Sequence, residues 1–445
     1  MRYPGLVVLV FMIASLLPGC SPGFHGELRS QVSSYEFSLA RWVLITLIRR
    51  VKPSFTVGGL SHEEKVAIVG EFFTLVGQAK AYRQHISQEE NEAKRGTLQE
   101  ELLRIQEKKA ELENKVERIL EEQIRGVLQG QGVYHPWFRR LPLRVFFPPP
   151  RLEIDPAPYL LVISPRERII PIAQIILKPD IDWQIAEDLE NRIENKFNVS
   201  ALVTDRLSGL ATFPILIADD RGLRTAIRTI ADEWTHHYLF FAPLGRALAF
   251  DFYNYDLRTV NETVACIVAE EVTDLVIQKY YSHIVDEEEI RAQDERQDKF
   301  HSELRIIKKV VNEYLLQGKI DEAEKFMEDS RLGLLEKGFY VRKLNQAFFA
   351  RRAPYISTPV TVNPLAEIVK EIRKGSPDLG EFLKRMAQIV LTYDTPLKYN
   401  GAIVIIQVRD SRVHLSSYKG EAIRGVKSRE VPDIETALDR ERGDG

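Results

Sequence analysis

Hydrophobic residues follow two patterns along this chain, one short and continuous and the other spaced at helical intervals. Tyr159 to Ser164 is an unbroken apolar run, which predicts a buried strand, and residues 169–178 predict a second strand. Ala211 to Ala218 contains Pro214, which predicts an edge strand because proline has no N–H to donate to a ladder. Most of the remaining chain has helical spacing. The pattern therefore predicts an α+β, mainly α fold with a small sheet.

Helices precede and follow the last of these predicted strands. A polar helix is predicted from Trp183 to Phe197, a second from Leu223 to about Phe241, and a third from Val260 to Tyr281. In the last two, apolar residues recur every three or four positions, as one buried helix face requires. Pro243-Leu244-Gly245 predicts the end of the second helix. The inward positions are Ile227, Ile230 and Trp234, and then Val264, Ile267, Val268, Val272 and Leu275.

The stretch from Gln84 to Gly130 is rich in Glu, Lys, Arg, Gln and Leu and predicts a long helix with coiled-coil character. Lys109 and Gln123 interrupt its apolar spacing. Two interpretations stay open: the helix forms a homodimer seam or a spacer from the membrane, or it packs on its own domain. The apolar positions are Leu98, Leu102, Ile105, Leu112, Val116 and Ile119.

The N-terminus has the pattern of a bacterial export signal. Arg2 is followed by an apolar run from Leu6 to Leu17, which is too short for a comfortable membrane span. The run ends Leu17-Pro18-Gly19-Cys20, which resembles a lipobox whose cysteine is lipidated and becomes the mature N-terminus. This resemblance implies a cell-envelope protein on the outer face of the cytoplasmic membrane, attached through Cys20. An uncleaved anchor and ordinary cleavage stay open as alternatives.

The N-terminal region contains two further sequence features. Tyr35 to Val51 predicts a strongly apolar helix closed by Arg49 and Arg50. It is shorter than the roughly 20 residues that a span needs, so it either lies against the membrane or is a core helix. Ser61-x-x-Glu64 has the form of a capping box that opens the next helix.

Length and composition describe an ordinary folded protein. The 445 residues are 44% hydrophobic and 28% charged, enough for two or three domains. A net charge of −3 gives no electrostatic case for binding nucleic acid. With Cys20 in the signal, Cys266 has no second cysteine for a disulfide. The predicted division is a signal peptide and lipobox at 1–20, a helical N-terminal region at 21–135, a small α/β region with the edge strand at 136–220, a helical domain at 221–390, and a β-hairpin with a charged tail at 391–445.

Two stretches carry the candidate chemistry. In Asp232-Glu233-Trp234-Thr235-His236, Asp232 and His236 are four residues apart and share a helix face, with Glu233 about 100° round the axis. Asn261-Glu262-Thr263 lies on the next predicted helix. Metallopeptidases place two zinc ligands at i and i+4 and a glutamate between them that takes the proton from the metal-bound water.

These residues resemble the gluzincin branch of the zinc metallopeptidases, in which His-Glu-x-x-His is followed by Asn-Glu-x-x-Ala. More closely, the chain resembles bacterial envelope proteins that carry His-Glu-Trp-x-His-His, then Pro-Leu-Gly, then Asn-Glu-Thr. The resemblance implies a zincin-like helical core within 221–390. It assigns the metal ligands to Asp232, His236 and Glu262 and the general base to Glu233. The chain departs from the family at Asp232, where the family has histidine.

The departure leads to two alternative functions. Two carboxylates and one imidazole form a harder site than His₂Glu, which should bind Zn²⁺ less tightly and admit Mn²⁺ or Fe²⁺ more readily. A peptidase with reduced activity on a peptide or protein substrate is the first alternative, with His237 or Tyr238 as a transition-state donor. The second is a zincin fold without a metal, acting as an interaction or scaffold module of the envelope.

Overall fold

The computed structural model describes residues 23–50, 57–89, 91–134, 146–250, 255–284, 287–352 and 364–387, and the backbone of three strands between residues 397 and 418. It is 68% helix and 9% strand with small sheets, which confirms the mainly α, α+β prediction. The export signal, Cys20 and the charged tail lie outside the described residues. No helix in the described ranges combines the length and the apolar composition that crossing a membrane requires.

The secondary structure is numbered here along the described chain. The helices are α1 (Phe24–Val32), α2 (Leu39–Arg49), α3 (His62–Gln88), α4 (Glu92–Gly130), α5 (Trp183–Phe197), α6 (Leu223–Phe240), α7 (Pro243–Phe250), α8 (Tyr255–Val276), α9 (Glu287–Leu316), α10 (Ile320–Glu336), α11 (Gln346–Arg352), α12 (Pro364–Lys374) and α13 (Leu379–Met386). The strands are β1 (Leu152–Asp155), β2 (Tyr159–Pro165), β3 (Ala173–Leu177), β4 (Val199–Val203), β5 (Gly209–Leu210), β6 (Ile215–Ala218), β7 (Leu397–Tyr399), β8 (Ala402–Arg409) and β9 (Arg412–Tyr418).

The chain divides into two compact units that are discontinuous in sequence. Unit 1 contains residues 1–123, 150–230 and 273–362, and unit 2 contains 124–149, 231–272 and 363–445. The domains predicted from the sequence are, by contrast, continuous stretches of the chain. They differ from the units because α4, α6 and α8 each contribute residues to both.

Several helix boundaries test the sequence patterns. The helix predicted from Trp183 to Phe197 is confirmed, as is the capping box between Ser61 and Glu64 at the start of α3. The single helix predicted from Gln84 to Gly130 is wrong, because α3 ends at Gln88, the backbone of Glu89 is extended, and α4 begins at Glu92. Pro243-Leu244-Gly245 begins α7 after the end of α6, since proline is well accommodated at a first helical position.

Three small sheets are present in the described chain, and two of them lie in unit 1. In the first, β2 lies between β3 and β4 and is antiparallel to both. In the second, β6 lies between β1, which is parallel to it, and β5, which is antiparallel. The edge position predicted for the 211–218 strand is therefore wrong. Pro214 precedes Ile215, the first residue of β6 in the ladder, so its missing N–H costs no ladder hydrogen bond. The third sheet, β7-β8-β9, lies in unit 2 and contains the predicted hairpin.

Strand β2 is buried on both faces, as its continuous apolar run predicts. Alternate residues point to opposite faces of a strand. Leu161 and Ile163 pack on α1 and α5, whereas Leu160 and Val162 pack against α9, α10 and α11. Helices therefore cover both faces of this sheet. The residues contributed by the helices on the two sides include Leu28, Leu189 and Ile193, and Leu304, Val311, Met327 and Phe349, respectively.

Two glutamates of α4 satisfy the outer edge of β1. Glu121 accepts a hydrogen bond from the N–H of Leu152 at 3.1 Å, and Glu117 accepts one from the N–H of Ile154 at 2.8 Å. Four residues of helix rise about 6.0 Å and two residues of strand about 6.6 Å. The i,i+4 spacing on the helix therefore matches the spacing of the outward N–H groups on the strand.

Arg50, which directly follows α2, neutralises this carboxylate pair. Its guanidinium lies 3.2 Å from Glu117, 3.2 Å from Glu121 and 3.0 Å from Glu153. It also donates to the carbonyl of Leu152. The side chains of Glu117 and Glu121 are almost fully buried. Glu121 has two further arginine partners, so Arg50 matters most for Glu117.

The polar residues that interrupt the apolar stripe of α4 have partners within unit 1. The Nζ of Lys109 lies 2.7 Å from a carboxylate oxygen of Asp219, directly after β6. Gln123 accepts a hydrogen bond from the hydroxyl of Tyr281 at 2.5 Å. These contacts support the interpretation that α4 packs on its own domain. Its apolar side chains buried within unit 1 include Ile105, Val116, Ile119 and Leu120.

We expect Arg50→Met to lower the free energy of unfolding by about 1–3 kcal/mol, because the buried carboxyl of Glu117 then loses its charged hydrogen-bond donor. Denaturant unfolding followed by circular dichroism measures the change. Arg104→Met is the control, since Arg104 pairs with Glu101 on the solvent-exposed side of α4 and its loss should cost less than about 1 kcal/mol. An Arg50→Met protein as stable as the control would contradict the structural role of this cluster.

Glu113 should make stability depend on pH. Burial raises its pKa to about 7; Lys109 opposes the shift, and carboxylates that include Asp155 add to it. The pKa of a glutamate in the unfolded chain is about 4.3. At pH values between these two pKa values, the folded state holds a proton that the unfolded state has lost. Stability from this group therefore falls as pH rises from about 4.3 through about 7.

Glu113→Gln should remove this contribution, so the midpoint of thermal unfolding should change less between pH 5 and pH 8 than in the parent. Between pH 5 and pH 8, Glu113 changes the free energy of unfolding by at most about 3 kcal/mol. Glu111→Gln, an exposed change on the same helix, is the control and should leave the pH profile of the parent intact. An unchanged profile in Glu113→Gln would show that other groups set the pH dependence.

Candidate functional site

Trp234 orients the part of α6 that carries the candidate site. It is fully buried, and its Nε1 donates to the carbonyl oxygen of Pro148 at 2.8 Å. Its indole is parallel to the ring of Phe146, with 6.0 Å between centroids. At 100° per residue, Trp234 lies on the opposite side of the helix from Asp232 and His236. Its burial therefore turns those two side chains away from this core.

Asp232 and His236 face each other as their spacing predicts. The Nε2 atom of His236 lies 3.9 Å from the nearer carboxylate oxygen of Asp232. The imidazole is 20% exposed and the Asp232 side chain 37%, so the pair is accessible from solvent. A separation of 3.9 Å is too long for a hydrogen bond, which leaves this edge of the imidazole without a tight contact to Asp232.

Asn261, on α8, determines the orientation of the imidazole. Its Oδ1 atom lies 2.6 Å from Nδ1 of His236, and Asn261 is buried. Because an amide oxygen only accepts hydrogen bonds, Nδ1 carries a proton and Nε2 is directed toward Asp232. In the sequence, Asn261 stands out only as the first residue of the Asn-Glu-Thr stretch. Its position beside Glu262 was the available signal, but the contact with His236 required the fold.

Three carboxylates act on His236. Burial by itself would lower the pKa of the imidazole. Glu262, Asp232 and Glu233 act in the opposite direction, in that order of strength. Together with the hydrogen bond to Asn261, they raise the pKa of His236 above its ordinary value. The charges of α6 and α8 therefore converge on this imidazole and favour a cation there.

These residues have the donor chemistry of a divalent metal site. Carboxylate oxygen and imidazole nitrogen are both ligands of Zn²⁺, and a hydrogen bond to the other ring nitrogen is the usual support of a histidine ligand. Two ligands of one tetrahedral zinc lie about 3.3 Å apart with bonds of about 2.0 Å, and the pair stands at 3.9 Å. No three His, Cys, Asp or Glu side chains among the described residues are already arranged as a metal-holding group. Metal binding between His236 and Asp232 therefore requires their separation to shorten from 3.9 Å.

His237 and Tyr238 occupy the buried side of α6. Both are at most 2% exposed. The hydroxyl of Tyr238 lies 3.4 Å from the carbonyl oxygen of Tyr134, and its ring contacts Trp234. The structure places Asp232 next to His236, and the charges of Glu262 and Glu233 act on the same imidazole. The two predicted transition-state donors, by contrast, lie among core residues.

The Pro-Leu-Gly stretch has a steric role beside the site. A Cβ on Gly245 would lie 2.4 Å from the backbone carbonyl of Leu239 and 2.6 Å from the nitrogen of Phe240. These distances are shorter than any Cβ contact allows, and backbone atoms cannot move aside as a flexible side chain can. Gly245 therefore permits α7 to pack closely on the last turn of α6.

The chain matches no protein-family model, no curated protein and no solved structure. The motif residues and their geometry therefore carry the functional argument.

Gly245→Ala should destabilise unit 2 by several kcal/mol, because the added methyl forces α7 away from α6. Thermal unfolding measures the loss. Gly333→Ala is the matched control: Gly333 is inside α10 with open space around its Cα, and alanine there should stabilise the protein by up to about 1 kcal/mol. If Gly245→Ala is as stable as Gly333→Ala, α7 does not pack this closely on the last turn of α6.

Proposed function

We propose that the chain is an envelope-anchored, metal-dependent peptidase-like protein with a zincin-like helical core. The site comprises Asp232, His236 and Glu262 as metal ligands and Glu233 as the general base. The observation that carries the proposal is the orientation of His236: Asn261 occupies its Nδ1 atom at 2.6 Å, and its Nε2 atom faces Asp232 at 3.9 Å.

Each residue has a distinct chemical task. When bound, a divalent metal supplies Lewis acidity that lowers the pKa of a water molecule and polarises a carbonyl. Asp232 and Glu262 supply anionic oxygen, and His236 supplies nitrogen. Glu233, between the two α6 ligands in sequence, accepts the proton of the attacking water and later returns it to the leaving amine. Asn261 holds the imidazole and takes no direct part in the reaction.

Aspartate in place of the first histidine makes the site more anionic. Two carboxylates favour harder ions, so Mn²⁺ and Fe²⁺ compete better with Zn²⁺ than at a His₂Glu site. The same charge stabilises the proton on water and makes deprotonation harder. The expected protein binds metal weakly and hydrolyses peptide or protein substrates slowly. The N-terminal export pattern supports action at the outer face of the cytoplasmic membrane.

One observation favours a second candidate, a zincin-fold interaction module without catalysis. His236 is hydrogen-bonded to Asn261 and surrounded by three carboxylates. A protonated imidazole satisfies these groups without a metal. In that case the cluster stabilises the α6–α8 contact within unit 2, and the surface binds a protein of the envelope.

The substitution Asp232→His separates the two candidates. It completes the His-Glu-x-x-His set, and the second imidazole should raise zinc affinity by roughly 10–100-fold. Zinc content after purification without added metal, and titration with Zn²⁺, measure the effect. The control is Asp329→His on the exposed surface of α10, which reports zinc bound by an added histidine alone.

Glu233→Gln, made in the Asp232→His protein, tests the general base. Hydrolysis of a fluorogenic peptide should fall by about 10²–10⁴-fold while zinc content stays the same, because Glu233 is not assigned as a ligand. If Asp232→His binds no more zinc than Asp329→His does, the metal proposal fails and the interaction module stands.

A further inference from the structure

Helix α2 is fixed to unit 1 through one face. Val43 and Thr46 are buried, and the indole Nε1 of Trp42 donates to a carboxylate oxygen of Asp155 at 2.6 Å. At the C-terminal end of the helix, Arg50 is held by Glu117 and its neighbours. The helix therefore cannot roll about its axis without breaking buried polar contacts.

The opposite face of α2 presents large apolar side chains to solvent. Leu44 is 58% exposed, Ile45 37% and Ile48 62%. Leu44 and Ile48 are four residues apart and Ile45 is adjacent, so all three lie on one side of the helix. We call Leu44, Ile45 and Ile48 the α2 apolar face. Unit 1 leaves these side chains exposed even though the rest of the helix is well packed.

Positive charge lies close to the α2 apolar face: Arg41 is one turn N-terminal to Leu44 and Ile45 on the same side of the helix, and Arg49 is adjacent to Ile48. Arg41 and Arg49 are both exposed, and helix α2 contains no aspartate or glutamate. An apolar face bordered by arginine and free of acidic residues is the pattern of a helix that lies in the interface of an anionic membrane. A protein partner would need a matching acidic and apolar surface, whereas an anionic bilayer supplies both properties together.

The position of α2 in the chain supports the same occupant. Leu39 follows Cys20 by 19 residues, nine of which form α1, so the intervening chain reaches less than about 65 Å. An N-terminus attached to a membrane therefore keeps α2 within reach of that bilayer. The helix has 11 residues, about 16 Å, which is too short to cross the bilayer and suited to lying in its surface.

We infer that the α2 apolar face is a second membrane contact, which inserts into the headgroup region of an anionic bilayer and holds unit 1 against it. This contact uses only the envelope location from the proposed function. It does not require a metal or catalysis, so a test made without metal can fail independently of the peptidase proposal.

The test places an environment-sensitive nitrobenzoxadiazole label on Ile48→Cys, in a full chain that also carries Cys266→Ser. The protein is reconstituted through its own N-terminus into vesicles of phosphatidylethanolamine and phosphatidylglycerol containing a doxyl-labelled quencher lipid. Leu316→Cys is the matched control, because Leu316 is an 88% exposed apolar residue elsewhere in unit 1. The parent without an added cysteine gives the background label, and an unfolding transition like that of the parent confirms that each variant is folded.

The label at residue 48 should emit at shorter wavelength and be quenched by the lipid at least about threefold more than the label at residue 316. Exchanging phosphatidylglycerol for neutral phosphatidylcholine should weaken the quenching, since Arg41 and Arg49 then lose their counter-charges. Equal quenching at residues 48 and 316 would overturn the inference. A blue shift without lipid quenching would also overturn it, because the face would then be covered by protein, either a second copy or the chain's own leader.

Discussion

A pair of buried glutamates satisfies the outer edge of strand β1, and much of unit 1 depends on this contact. Glu117 and Glu121 replace a neighbouring strand as acceptors for alternate N–H groups. Burial raises the pKa of Glu117 to about 8 against the opposing effect of Arg50. The carboxyl of Glu117 therefore holds a proton more readily than an exposed glutamate does, and it still accepts the hydrogen bond from the N–H of Ile154. An apolar pair at these positions would leave the two outward N–H groups of β1 without acceptors.

Helix α6, which carries part of the candidate site, follows the second sheet of unit 1 directly in the chain. Strand β1 pairs with β6, and β6 ends at Ala218, a few residues before α6 begins at Leu223. Along α6, burial of Trp234 then determines which residues face outward. The chemistry of Asp232 and His236 follows from a core contact on the other side of the same helix.

The cluster around His236 favours a cation at this position. Three carboxylates act on one imidazole and raise its pKa against the opposing effect of burial. Asn261 constrains the ring so that Nε2 faces Asp232. The proposed weak metal site and a metal-free polar contact both use this geometry, which is why the two candidate functions share one set of residues.

Local sequence patterns determined the elements that depend only on residues a few positions apart in the chain. The apolar run of β2, the polar helix α5, the capping box at Ser61 and the i,i+4 alignment of Asp232 with His236 all follow from spacing alone, because helix and strand geometry have fixed periods. The spacing of Asn261-Glu262-Thr263 likewise indicated a stretch on a second helix, within the described part of the chain.

Tertiary structure alone decided the contacts between residues distant in sequence. Lys109 and Gln123 interrupt the apolar spacing of the predicted coiled coil. Their partners, Asp219 and Tyr281, are more than a hundred residues away in the chain, so local spacing could not identify them. Pro214 suggested an edge strand, but the register begins one residue later. The need for glycine at position 245 comes from a backbone approach that no local pattern encodes. Periodicity reports which face of an element is buried, and the identity of the atoms that bury it is set only when the chain has folded.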